Sequence, residues 1–139
     1  MKLQIIRGIQ EAIDGYQIIT VNNDSLDLGS ITANECEFIL ASDVMDSFSI
    51  NHSGEILGAL RSKLRINGEL VVGGTELRAF VKAVANGLIA PEDASSVVSQ
   101  NNSMTSVHAV REMLMSLGLE IVSSHINGLH YEIKAKRVK

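Results

Sequence analysis

"CEFILASDVMDSFSINHSGEILGALRSKLRINGELVVGG", Cys36 to Gly74, is the stretch whose reading decides the fold. It opens on a short, nearly continuous apolar run, "CEFILA", the pattern of a central strand covered on both faces. It closes on a second apolar run, "ELVVGG". Between the two lies a helical pattern. Ile56, Leu57, Leu60 and Leu64 share one face, Ser53 is placed to cap the amino end, and Asn67-Gly68 stops the helix, since both residues tolerate left-handed backbone. Two buried strands joined through a helix point to an α/β fold on a largely parallel sheet.

Downstream the alternation continues. "TELRAFVKAVANG" reads as a helix with Thr75 as a cap candidate, a stripe of Leu77, Phe80, Val81 and Val84, and Gly87 at its end. Pro91 with Glu92 and Asp93 looks like a fresh helix start, while most of "SSVVSQNNSMTS" (residues 95–106), polar and serine-rich, reads as loop. "SVHAVREMLMSLG" is helical, with Val107, Val110, Leu114 and Leu117 on one face. "LEIVSSHINGLHYEIKAK" is a β-hairpin around Asn127-Gly128. In its second arm Leu129, Tyr131, Ile133 and Ala135 form the buried face, and His125 and His130 are expected to face each other. Upstream, "KLQII" and "YQIITV" read as two short strands. The residues between them are too few for a crossover helix of ordinary length. The turn-rich "NNDSLDLGSITANE" reads as loop.

The chain has 139 residues, which suggests a single domain over 1–139 with room for a real core. Apolar residues make up 45 % and charged residues 20 %, ordinary for a globular protein. A net charge of -4 argues against a nucleic-acid partner. The one basic cluster, "KAKRVK", reads as a solvated strand end. A single cysteine, Cys36, within an apolar run reads as a buried small hydrophobe and fits a reducing compartment. No apolar run reaches the length of a membrane span and no secretory leader is evident, so a cytoplasmic setting is expected. The four histidines show no metal-ligand spacing on one helix, and no metal is expected. Serine-hydrolase elbows and Walker-type phosphate loops are absent.

This order of elements resembles the class I S-adenosylmethionine (SAM)-dependent methyltransferases. The resemblance rests on "CEFILASDVMDSF" at the place of the family's fourth strand and its exit, and on "EILGALRSKLRINGELVVGG" at its next helix, turn and fifth strand. It rests also on "VREMLMSLGLEIV" at the helix-to-strand-six passage. The chain is most similar to short, type 11-like members lacking the first crossover helix, which begin with a strand, Leu-Gly-Cys-Gly, Gly-Tyr, and a strand ending in Asp. On that pattern Ile6, Arg7 and Gly8 fall on Gly-Cys-Gly, Gly15-Tyr16 on Gly-Tyr, and Thr20 on the ribose-binding acid. The resemblance implies a minimal Rossmann-like fold, a mostly parallel sheet ending in an antiparallel hairpin strand. It also implies SAM as the cofactor, at Gly8, Thr20, Asp24, Ala41 and Ser42. Asp24 takes the place of the acid facing the adenine amino group, with Asp27 as the other choice of register. Asp43, at the active-site mouth, is implied as a general base or substrate ligand, or is the cap of a short helical turn.

The departures from the family pattern shape the functional expectation. Ile6 adds a branched side chain where only glycine leaves the backbone bare. Thr20 offers no bidentate charged acceptor, a loss of about 1.5–3 kcal/mol if one charge-assisted hydrogen bond is missing. The expectation is a methyltransferase-like protein with a degenerate cofactor loop and a binding or assembly role. The alternative is an active small SAM-dependent methyltransferase of unknown acceptor. A small-molecule ligand is possible. A sheet without strand three and without the first helix leaves apolar surface open, so the expected partner is a second copy of the chain.

Overall fold

The computed structural model describes every residue except Ile9. The strands are β1 (Lys2–Ile6), β2 (Gln17–Thr20), β3 (Cys36–Ala41), β4 (Leu64–Thr75), β5 (Leu119–Asn127) and β6 (His130–Arg137). The helices are α1 (Ile50–Lys63), α2 (Leu77–Ala85), α3 (Pro91–Gln100) and α4 (Val107–Ser116), with a 3-10 turn at Met45–Ser47. The strands form one six-stranded sheet in the order β2-β1-β3-β4-β6-β5. β1 pairs in parallel with both β2 and β3, and β3 with β4, while β6 runs antiparallel to β4 and β5. The expected α/β fold with a C-terminal antiparallel hairpin is therefore the observed one. Residues 22–35 contribute no named strand.

Side chains alternate across the sheet. One face carries Leu3, Ile5, Ile39, Ala41, Leu70, Val72, Ile133 and Ala135. These join Leu57 and Leu60 of α1 and Val110 and Leu114 of α4 in a single hydrophobic core. Phe38 and Leu40, on the other face of β3, are half-buried and stand outside that core. The expectation of a strand covered on both faces is thus corrected. The run "CEFILA" is continuous, yet helices cover only one side of it.

Several local expectations change for identifiable reasons. α1 ends at Lys63, and Asn67-Gly68 lies within β4. There Asn67 adopts φ 68°, and the pairing with β3 slips between Cys36 and Phe38. A Cβ on Gly68 would stand 2.7 Å from the Cys36 carbonyl oxygen, so left-handed Asn67 with its glycine neighbour marks a strand bulge instead of a helix stop. Ser53 lies inside α1, buried, with its hydroxyl donating to the Ser49 carbonyl. Much of the predicted serine-rich loop is α3. Its side chains fold back on the helix, with Ser96 Oγ donating to the Glu92 carbonyl and Asn101 Nδ2 to the Val97 carbonyl. In the hairpin Tyr131, Ile133 and Ala135 are buried as expected, but Leu129 is exposed at the turn. Glu132 stands opposite His125, and Asn127 opposite His130, so the two histidines do not face each other. Cys36 is fully buried, and burial pushes its thiol pKa up.

The cap of α2 is Glu76, not Thr75. One oxygen of the Glu76 carboxylate accepts from the Arg78 and Ala79 amides at 2.8 and 3.3 Å; the other accepts from the Val107 amide at 2.5 Å. One buried anion thus satisfies the amino ends of α2 and α4 and locks them together. We expect Glu76→Ala to lose about 2–3 kcal/mol of unfolding free energy in urea denaturation, with a smaller loss for Glu76→Gln, whose amide oxygen still accepts.

Candidate functional site at the carboxyl edge of the sheet

In parallel sheets of this kind, ligands bind beyond the carboxyl ends of the strands. Here β1, β2 and β3 deliver most of the predicted residues to one such edge. Ile6 and Thr20 are direct neighbours on paired strands, and Val21 closes the pair by donating its amide to the Ile6 carbonyl at 2.8 Å. Gly8 turns the chain with φ 63°, and the space where a Cβ would project is open. Thr20 is exposed. Asp24 is exposed in the turn after β2, which reciprocal backbone bonds between Asn22 and Ser25 close. Ala41 has no exposed surface and belongs to the core. Ser42 and Asp43 follow it, half-buried. Asp43 caps nothing: the cap position of the 3-10 turn is Val44, without a side-chain bond.

What ties this edge together was not singled out from the sequence. Asp46 is 2 % exposed. Its carboxylate accepts from the Thr75 amide at 3.0 and 2.9 Å and from the Thr75 hydroxyl at 2.6 Å. Its own carbonyl accepts from the Asn102 amide at 2.8 Å. Arg7 reaches over from the β1 turn. It donates to Ser47 Oγ and Asn101 Oδ1, each at 3.2 Å, and lies 4.0 Å from Asp46 and 3.9 Å from Asp43. On the other side His130 Nε2 donates to the Ser42 carbonyl at 2.7 Å, which leaves Nδ1 3.9 Å from the Asp43 carboxylate. The close approach of Asp46 to β4 depends on Gly74, whose Cβ, if present, would stand 2.6 Å from Asp46 Oδ1. Tyr131 is buried beside this group. Its hydroxyl finds no partner among the described residues, and burial, then Asp46 and Glu76, push its pKa far up.

A signal for Asp46 was present in the sequence. It is a lone acid between Val44, Met45 and Phe48, and an acid in an apolar run demands a partner. In the sequence Arg7 shows only as the middle residue at the Gly-Cys-Gly position. Its partners lie 40 and 94 residues away, beyond the reach of local pattern. A separate apolar groove of about 480 Å³ lies between α2 and α3, lined by Phe80, Val81, Val84, Pro91, Ala94 and Val98, and includes none of the predicted site residues.

No protein-family model and no curated sequence matches this chain. Solved structures do. An O-methyltransferase family protein from Burkholderia thailandensis superposes with a TM-score of 0.64 at 13 % identity, over 88 % of this chain and 36 % of its own. A SAM-dependent methyltransferase from Archaeoglobus fulgidus gives 0.60 at 13 %, over 96 % of this chain and 75 % of its own. The 1,6-didemethyltoxoflavin-N1-methyltransferase of Burkholderia thailandensis, solved with 1,6-didemethyltoxoflavin and S-adenosylhomocysteine, gives 0.56 at 16 %, over 90 % and 53 %. The chain has the class I SAM-dependent methyltransferase fold, and it spans about a third of the length of the Burkholderia O-methyltransferase family protein. At these identities the likeness is one of fold. Among the described residues no helix is long and apolar enough to cross a membrane.

Asp46 carries a pH signature. Burial pushes its carboxyl above the ordinary value of 3.8, against the Thr75 bonds and the Arg7 charge, with Asp43 adding to the rise. The folded chain therefore holds this proton more tightly than the unfolded one. The stability this confers is complete below 3.8 and is lost as pH rises from there through the raised value. Asp46→Asn keeps an acceptor for Thr75 and carries no charge. Its unfolding free energy should improve relative to wild type as pH climbs through that window. Urea unfolding at a series of pH values checks this, and identical pH slopes in the two proteins would contradict it.

Proposed function

We propose that this chain uses the methyltransferase fold for binding and assembly, and that its cofactor position is degenerate. The observation that carries the proposal is Arg7. Its guanidinium extends from the turn that corresponds to the cofactor loop and bonds to Ser47 and Asn101 beside two carboxylates. The SAM sulfonium is a cation, and a fixed guanidinium at the same edge opposes it. Two further features support the reading. Ile6 keeps a branched side chain at the turn. Thr20 stands exposed where the resemblance requires a carboxylate for two ribose hydroxyls. The residues present do not fit SAM. The self-associating form is part of the same proposal, with the chain acting as a homo-oligomer.

The alternative, an active small SAM-dependent methyltransferase, draws on one observation. Asp43, half-exposed beside His130 Nδ1, is an acceptor with no short hydrogen bond among the described residues, at the sheet's carboxyl edge. Such a carboxylate can take a proton from a hydroxyl or amine acceptor.

Isothermal titration separates the two. The proposal predicts no saturable heat with SAM up to about 1 mM, a free energy near −4 kcal/mol. An Ile6→Gly/Thr20→Asp variant should gain about ten- to a hundredfold, the worth of a restored charge-assisted acceptor. Micromolar binding by the wild-type chain would overturn the degeneracy.

A further inference from the structure

Among the described residues, the helices that join the main core, α1 and α4, pack on one face of the sheet. Strand register places Lys136, Glu69, Phe38 and Lys2 in one row across the other face. Lys134, Val71, Leu40, Gln4 and Ile18 form the next row. Phe38 and Leu40 are half-buried and Val71 is buried, all three apart from the main core cluster, and the residues joining β1 to β2 form no helix among those described. The aromatic rings here are held by their neighbours. Tyr16 meets Phe38 edge-on at 6.3 Å, with Lys2 Nζ 5.9 Å from the Tyr16 ring and Lys134 Nζ 5.9 Å from that of Phe38.

Over β1 a strap of chain is tied down by Gln4, whose Nε2 donates to the Glu11 carbonyl and whose Oε1 accepts from the Ile13 amide, both at 2.9 Å. Ile13 stands on this strap, 42 % exposed.

We propose that this face is covered by a second copy of the chain, packed sheet against sheet about a two-fold axis running along β3. The proposal rests on the assembly reading above and names its surface. Such an axis exchanges the strands on either side of β3, so that β4 faces β1 of the second copy and β6 faces β2. Phe38 and Leu40 then meet their own counterparts. Glu69 meets Lys2 of the second copy, Lys136 meets the Tyr16 ring, and Ile13 comes to lie over the row of Leu40 and Val71. Each contact forms twice, as an isologous interface requires. Aligned packing of two such faces is a standard way to close a sheet. The alternation of charge selects this occupant. A nucleic-acid backbone or an anionic membrane would meet Glu69 in the same row as Lys2 and Lys136, whereas a second copy satisfies both signs.

Sedimentation over a concentration series of the full chain, with a charge exchange, tests this. The wild-type protein should dimerise within about 1–100 µM. Lys2→Glu and Glu69→Lys should each weaken the dimer about tenfold or more, since one reversal turns two attractions into two repulsions. The double variant should return close to wild type, because it restores opposite signs across the axis. Leu40→Arg should give monomer. Circular dichroism confirms that each variant is folded; should Leu40→Arg unfold, the charge exchange on the strand surface still decides. A wild-type dimer whose double variant is no better than the singles would overturn this surface and leave the assembly reading standing. A wild-type monomer throughout would overturn both.

Discussion

The carboxyl edge of the sheet is organised by the need to accommodate one buried carboxylate. Asp46 sits in the 3-10 turn after β3 and is almost wholly removed from water. A buried anion without partners costs several kcal/mol. Here Thr75 supplies an amide and a hydroxyl, Gly74 supplies the room, and Arg7 supplies the opposing charge. Through its carbonyl, Asp46 also fixes the segment that leads from α3 to α4. The β1 turn, the β3 exit, the end of β4 and the α3–α4 connection are all held through this one residue.

That arrangement bears directly on function. The cation beside Asp46 comes from the turn that follows β1, the turn that the proposal reads as a degenerate cofactor loop. Arg7 is held by four polar groups, from Ser47, Asn101, Asp43 and Asp46. Moving it for a ligand would expose two carboxylates to each other in a partly desolvated place, which like charges resist. The proposed loss of SAM binding thus has an electrostatic basis as well as the steric one at Ile6. The second departure, the lack of a helix among the described residues between β1 and β2, bears on the other face of the sheet, where Phe38 and Leu40 are half-buried. The proposed self-association would cover that face.

Much of the fold was legible in the residues themselves. The apolar runs at Cys36–Ala41 and "ELVVGG", the α4 stripe and Asn127-Gly128 each encode their element locally, and all are present. Errors arose where one local signal serves two structures. Asn67-Gly68 permits left-handed backbone in a helix stop and in a strand bulge alike. Serines at 95, 96 and 99 favour loops, yet a helix that starts on Pro91 can absorb their hydroxyls. The periodic stripe of α2 predicts a buried face at Leu77, Phe80, Val81 and Val84, but Leu77 and Val81 are exposed, because the helix lies where Phe80 and Ala83 reach cover. Gly8, Thr20, Ser42 and Asp43 lie at the carboxyl edge of the sheet because they end or follow its strands, a placement that local pattern carries, whereas the network of Asp46, Arg7, Thr75 and His130 consists of contacts 29 to 94 residues apart.

The central claim is that the protein's own Arg7 holds the place a cofactor would need. A crystal structure grown with millimolar S-adenosylhomocysteine tests it most directly. The account predicts no ligand density over the Gly8 turn, with the Arg7 guanidinium still bonded to Ser47 and Asn101. Ordered density for the nucleoside between Gly8 and Asp24, with Arg7 swung away from Asp46, would contradict it.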